Sequence, residues 1–393
     1  MNYIFFEDQH SPLLEPFSLT HPVFELRCGV YTNLERVISN LKENDNLILI
    51  VREDFKDLVQ YKYPAYQVNP NIIPKGIFLN SSCLWTHEVF QKVNNGKIYL
   101  NDDVLISFST NEEIPLKKLD LFFESCKEVS TNIDIKHIKF LWDTIYFNKN
   151  QLKIDFNDFS NQKFGKIHSS VIIENDEFVY IDDNVSIGAG TIIDATKGPI
   201  IISNGTKVDI GSLIQGPVYI GPNSVINPGT KLRGNIILGP VCKVGGEIEN
   251  CIIQGFSNKQ HDGFLGHSYL CEWVNLGANT NNSNLKNNYG NIRFNIGDEI
   301  IETKKQFLGV MIGDYSKSGI STMFNTGSYV GVGANIFGGG FQDKKISSFQ
   351  WGSNDKTDLE KFIDTCKVIK SRRDQILHPS EELLLKNIYK NKK

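Results

Sequence analysis

The sequence predicts an α/β domain of Rossmann-like type over residues 1–160, then a left-handed parallel β-helix over 165–350, then a helical segment over 355–393. Three observations carry this. Strand-length apolar runs alternate with helical patterns in the first part. A strict six-residue period runs through the second. A helical period marks the third.

In the first part, "NYIFF" (2–6), "NLILIV" (46–51), "GIFLN" (76–80) and "KIYLN" (97–101) have strand length. Between them, "YTNLERVISNLKEN" (31–44) and "PLKKLDLFFESCKEV" (115–129) read as helices. Alternating strands and helices predict a largely parallel sheet.

In the second part, every sixth residue from 202 is aliphatic: Ile202, Val208, Ile214, Ile220, Ile226, Leu232, Leu238, Val244. Four residues after each stands a small or modest one, as at Thr206, Ser212 and Ser224. The same rule holds at Ile181 and Ile187. It resumes at Phe264, Leu270 and Leu276, and again from Ile312 to Ile336. A period of six is neither helix nor simple strand alternation. It is the hexapeptide grammar of a left-handed β-helix, in which three flat sides make one coil and the aliphatic residue points into the prism. Gly, Asn, Asp and Pro supply the corners.

The period breaks between Ile193 and Ile202, and again between Val244 and Phe264. Residues 281–306 are polar and Asn-rich, and read as a loop thrown out of the coil. Such loops are common places for function. The last segment reads as a helical cap on the open end of the β-helix.

Composition excludes some classes of function. The formal net charge of −4 gives no reason to expect nucleic acid. No run approaches the ~18 apolar residues of a spanning helix, so no membrane partner is expected. The first residues lack a basic stretch, and seven scattered cysteines read as free thiols in a reducing cytoplasm.

The second break holds "SNKQHDGFLGHSYL" (257–270), with His261 and His267. An imidazole there could act as a general base for an amine or hydroxyl attacking a thioester, with Asn side chains orienting a sugar or holding an oxyanion. The alternative is a solvated corner residue. His261, Asp262 and His267 do not have recognised metal-ligand spacing, and the metal ligands stay unassigned.

These residues carry a resemblance. "HDGFLG", "VNLGANT" and "NSNLKNNYG" after an α/β domain resemble the bifunctional enzymes that make UDP-N-acetylglucosamine. In that family an N-terminal sugar-1-phosphate uridyltransferase precedes a β-helix that acetylates glucosamine 1-phosphate with acetyl-CoA. The resemblance implies His261 as catalytic base, and Asn275 and Asn284 as sugar or CoA contacts. It also implies a homotrimer with sites between neighbouring β-helices, and nucleotide, sugar phosphate, Mg²⁺ and acetyl-CoA as ligands. Lys286 and Tyr289 are further candidates for substrate binding on the Asn-rich loop. Asn227 stands before Pro228-Gly229 where the family has a phosphate-gripping Arg. In the first domain the family's Gly-rich loop is missing, and Asn80 stands where a metal-binding Asp is expected. What remains, "LTHPVFELRCG", is similar to a divergent group described as sugar nucleotidyltransferases, which makes Glu25 and Arg27 the candidate nucleotide contacts. A structural ion pair is the alternative for Arg27. The whole reads as a sugar-1-phosphate nucleotidyltransferase with an acyltransferase β-helix. The alternatives are an acyltransferase alone, and a non-catalytic trimeric scaffold that binds nucleotide sugars.

Overall fold

The computed structural model describes every residue except 94–96, 102–103, 126–132, 161, 354 and 392–393. The first domain is built on a six-stranded sheet. Its strand order is Gln67–Val68, Asn46–Ile50, Asn2–Phe6, Gly76–Asn80, Val104–Thr110, Tyr99–Asn101. The first four strands run parallel, as expected. Val104–Thr110 runs antiparallel to both its neighbours, Gly76–Asn80 and Tyr99–Asn101, so the sheet is mixed. The chain winds outward from Asn2–Phe6 to one side, then crosses to Gly76–Asn80 on the other. That reversal opens a crevice at the carboxyl ends of the strands.

The helix expected over 31–44 is only Asn33–Ile38. It stops because Ser39 Oγ and Asn40 Nδ2 both donate to the Arg36 carbonyl, occupying the acceptor that a further turn needs. The helix expected over 115–129 is a 3₁₀ turn, Leu116–Lys118, followed by Leu119–Ser125. Its residues 126–129 lie outside the described residues.

From Lys166 on, short strands stack into three parallel walls. Ile200 pairs with Val218 and Val218 with Ile236, which is one coil per eighteen residues. All eight aliphatic positions from Ile202 to Val244 are buried in one prism core. One expectation is corrected. The period restarts at Leu265, which pairs with Ile248 and points inward, while Phe264 is only half-buried on the outside. The coil there is short, since Ile236 pairs with Cys251 only fifteen residues on, and the deletion shifts the register. The long loop also starts later than 281. Asn281–Asn282 still belongs to a wall, paired with Met323–Phe324. Beyond it the loop folds into a hairpin, Arg293–Ile296 with Glu299–Glu302.

The wall running from Val179–Ile181 to Lys345–Ile346 is buried on both faces. Its outward residues Ile201, Tyr219, Ile237, Ile252, Tyr269 and Met311 pack against Phe17, Leu26, Trp142 and Leu152 of the first domain. Helix Leu141–Asp155 lies along this wall. A strand buried on both faces reads as a continuous apolar run, as "III" at 200–202 does. The two halves therefore form one packed body.

The C-terminal helices Leu359–Ser371 and Pro379–Asn391 do not cap the open end. Phe362, Ile363, Leu384 and Leu385 wedge between the first domain and the flank of the β-helix at Trp273, Tyr315, Val332 and Phe349. Among the described residues, no helix is long and apolar enough to cross a membrane.

Candidate functional site

At the carboxyl ends of Asn2–Phe6 and Asn46–Ile50 lies a cavity of about 570 Å³. Glu7, Asp8, Gln9, His10, Arg52 and Asp120 contribute its polar groups. This volume is in the range of small-molecule sites. Asp8 follows the first strand by two residues, and Asn80 ends its neighbour. Asn80 Nδ2 donates to Asp8 Oδ2 at 2.8 Å and to the Leu105 carbonyl at 2.8 Å. The His10 backbone N–H donates to Asp8 Oδ1 at 2.9 Å. His137 Nε2 stands 4.0 Å from Asp8, buried and without a hydrogen-bond partner among the described residues. Burial pushes the His137 pKa down, against the pull of Asp8. Glu7 is occupied by the Arg52 guanidinium and the Val23 N–H.

The carboxylate expected near Asn80 is thus Asp8, from the adjacent strand. Only its place just past "NYIFF" signals it in the sequence. Asp8 and Asp120 are hard oxygen donors lining one cavity, which suits Mg²⁺ held by one or two carboxylates together with substrate phosphates. Among the described residues, no group of three or more His, Cys, Asp or Glu side chains could hold a metal ion alone.

Glu25 and Arg27, the expected nucleotide contacts, do not line this cavity. Both are buried where the first domain meets the β-helix. Glu25 accepts from Lys62 Nζ at 3.0 Å on both oxygens and from the Tyr63 hydroxyl at 3.0 Å. His21 joins the two halves: Nδ1 lies 2.7 Å from Glu25 Oε2 and Nε2 lies 2.9 Å from Asp314 Oδ2 on the β-helix. With a carboxylate on each nitrogen, both must carry protons, so His21 is an imidazolium. Burial opposes that charge, but the Asp314 carboxylate and the two hydrogen bonds raise its pKa to about 10. For Glu25, burial is outweighed by the Lys62 charge and the His21 hydrogen bond, and the pKa falls to about 2. Arg27 Nη1 donates to the Val30 carbonyl and lies 3.4 Å from Glu35. It is enclosed as a structural group. Gly29, at φ +76, is required because a Cβ there would lie 2.2 Å from Asp155, the partner of Arg36. The "LTHPVFELRCG" stretch is a joint.

On the β-helix, the break is filled by Lys259. It occupies an inward position paired with Val244 and is 2% exposed. Burial, partly offset by Asp262, pushes its pKa down to about 8. Its ammonium donates to the His261 carbonyl at the corner. The polar crowding of this segment therefore has a structural root. His261 is exposed, and its imidazole has no partner among the described residues. On the same edge, Asn227 Nδ2 donates to the Gln260 carbonyl at 2.8 Å, and the Asn279 N–H bonds to the Asp262 carbonyl at 2.9 Å. Asn275 is exposed on the adjoining wall, 3.2 Å from Asn258 Nδ2.

Asn284 is not beside His261. It lies across the wall, with Nδ2 3.0 Å from His267 Nδ1. His267 also stacks on Phe307 at 5.1 Å, and burial pushes its pKa down to about 4. Six residues of extended chain, at most about 20 Å, separate the two histidines. Lys286 and Tyr289 follow on the same loop as Asn284. Lys286 Nζ donates to the Asn291 carbonyl, and Tyr289 is 67% exposed. The residues expected on the β-helix thus divide: His261 and Asn227 at one edge of the wall, Asn275 on the adjoining wall, and Asn284, Lys286 and Tyr289 beyond the other edge.

Residues 3–163 match the sugar nucleotidyl transferase family. A bifunctional sugar-1-phosphate nucleotidylyltransferase/acetyltransferase of Sulfurisphaera tokodaii is 31% identical over 168 residues, 42% of this chain and 40% of that protein. The bifunctional protein GlmU of Methanococcus aeolicus is 33% identical over 93 residues, 23% of this chain and 22% of its own. The chain thus spans less than half the length of these curated relatives. The solved structure of an Arabidopsis UDP-N-acetylglucosamine acyltransferase covers 54% of this chain and 78% of its own, at 12% identity and a TM-score of 0.22.

Proposed function

We propose that this chain, whose residues 3–163 match the sugar nucleotidyl transferase family, joins an NTP and a sugar 1-phosphate into a nucleotide sugar, releasing pyrophosphate. The observation that carries this is the cavity at the strand ends, with Asp8 and Asn80 at the point where strand order reverses. A phosphate oxygen of the sugar attacks the α-phosphorus of the nucleotide. The bond from that phosphorus to the bridging oxygen breaks, and pyrophosphate leaves with the electron pair. Catalysis of this kind is positioning and charge neutralisation, with little proton transfer for the protein to do. Asp8, with Asp120, would hold Mg²⁺, which neutralises charge on the phosphates. Asn80 and the His10 N–H fix the Asp8 carboxylate. The reverse reaction is a direct check. Labelled pyrophosphate and a nucleotide sugar should yield labelled NTP, and failure across a panel of nucleotide sugars would defeat the reading.

The β-helix would add acyl transfer. An amine of an amino-sugar phosphate attacks the thioester carbonyl of acetyl-CoA, a C–N bond forms, the C–S bond breaks and CoA leaves. The free imidazole of His261 takes the amine proton, at the corner where Asn227 holds the Gln260 carbonyl, with Asn275 exposed on the adjoining wall. Asn284, Lys286 and Tyr289 lie on the opposite edge, so a neighbouring copy would bring them to His261. Exposed Ile192, Leu213, Ile210 and Ile320 on this wall and its edge favour such a homotrimer. Six free, buried cysteines among the described residues suit a reducing cytoplasm. The expected result is that His261→Ala lowers CoA release at least about 100-fold, while His267→Ala changes it less than about fivefold. The opposite ranking, read with a thiol reagent, would move the base to His267.

A further inference from the structure

A second cavity, about 620 Å³, shares no lining residue with the strand-end site. Five separate segments line it: Glu15 of the first domain, the hairpin tip Gly297–Asp298, Tyr329 of the long wall, Lys345 to Ser348 of the last coil, and Lys390 with Asn391 of the final helix. We propose that this junction binds a sugar phosphate as a ligand distinct from the substrate at the strand ends.

The chemistry is set by what the walls offer. Glu15 is a carboxylate only 9% exposed, steadied by the Tyr329 hydroxyl, which donates to Oε2 at 3.1 Å. A buried carboxylate facing a cavity accepts hydrogen bonds from hydroxyl or amino groups. Lys345 and Lys390 supply ammonium groups, and Ser347 and Asn391 supply neutral donors. Lys345 is held by Asp298 at 3.0 Å, but Asp298 is fully exposed. An ion pair with so exposed a partner is weak, so a doubly charged phosphate can displace Asp298 from Lys345. The volume fits a hexose phosphate and exceeds the needs of a bare anion. Because both halves of the protein line the site, a ligand there stabilises their docked arrangement in proportion to its occupancy.

The inference goes beyond nucleotidyl transfer and stands if that reading falls. It is tested by calorimetric titration of the full chain with glucose 1-phosphate, glucosamine 1-phosphate and inorganic phosphate, without nucleotide. At least one sugar phosphate should bind to Asp8→Asn as it does to the parent. Lys345→Glu and, independently, the surface change Lys390→Glu should each weaken that binding about tenfold or more, with unfolding midpoints near the parent's. Retained affinity in both lysine variants overturns the proposal. So does loss of all binding in Asp8→Asn, affinity for phosphate alone equal to that for the sugars, or no binding of any probe.

Discussion

Replacing Glu25 by Gln is expected to destabilise the folded chain by about 3–5 kcal/mol, the usual cost of removing one partner from a buried ion pair. The carboxylate is the centre of the joint. It holds the Lys62 ammonium on both oxygens, the Tyr63 hydroxyl and the His21 imidazolium. Its loss leaves the buried His21 imidazolium and the part-exposed Lys62 ammonium with Asp314, Glu272 and Glu381 as the neighbouring anions. The exposed pair between the N-terminal amine and Asp45 is the control, since Asp45→Asn should cost about 1 kcal/mol or less. Urea unfolding followed by tryptophan fluorescence reads both variants. Trp85 and Trp142 report on the first domain and Trp273 on the β-helix flank. A Glu25→Gln midpoint indistinguishable from that of the Asp45 control would contradict this account of the joint.

The joint also fixes how stability varies with pH. The pKa of folded His21 is raised from 6.5 to about 10, so its contribution is complete below about pH 6.5 and is lost as pH climbs towards 10. The pKa of folded Glu25 is lowered from 4.5 to about 2, so its contribution is complete above about pH 4.5 and is lost as pH falls towards 2. Burial raises the Glu272 pKa above its ordinary 4.5, so this group costs stability as pH rises from about 4.5 through its raised value. In His21→Gln the stability lost between pH 6.5 and 10 should shrink relative to the parent.

The second large effect is on activity. Asp8→Asn is expected to lower nucleotidyl transfer about 100- to 1,000-fold in kcat, the scale seen when one preorganised electrostatic group is removed from a reacting centre. The fold should survive. The Asn carbonyl oxygen can still accept from the His10 N–H, and the one ion-pair partner among the described residues, His137, stands 4.0 Å away, beyond the hydrogen-bond distances that Lys62 and His21 make to Glu25. A variant that unfolds like the parent and retains activity within tenfold would remove Asp8 from the site.

The β-helix was legible because its prism is narrow. Each inward position must be aliphatic, so Ile202 to Val244 mark it without help from any other part of the chain. The corners were legible only in part. At the turn between the two long walls, Asn184, Gly205 and Asn223 take positive φ, as their residue types suggest. Further along the same corner Val241, Phe256, Trp273, Tyr315 and Phe349 adopt it too. Such residues rarely tolerate positive φ. The burial of Trp273, Tyr315 and Phe349 against the C-terminal helices and the first domain offsets the strain, and that packing has no local signal. The joint is hidden for the same reason. His21 and Asp314 are 293 positions apart, and nothing near either names the other. The motif "LTHPVFELRCG" could therefore be read for nucleotide contacts or a local ion pair, but not for its packing against the β-helix. Asp8 could be seen after its strand, but its pairing with Asn80 depends on the sheet order. The separation of His261 from Asn284 follows from which edge of a wall each occupies, which the corrected restart at Leu265 decides.

The claim that the strand-end cavity is a nucleotidyl-transfer site is tested most directly by pyrophosphate release. The full chain is incubated with each NTP against a panel of sugar 1-phosphates and Mg²⁺. Release should require one particular NTP, one class of sugar 1-phosphate and the metal together. It should persist in His261→Ala and fall at least about 100-fold in Asp8→Asn. Release from no pair in the panel, or release undiminished in Asp8→Asn, would contradict it.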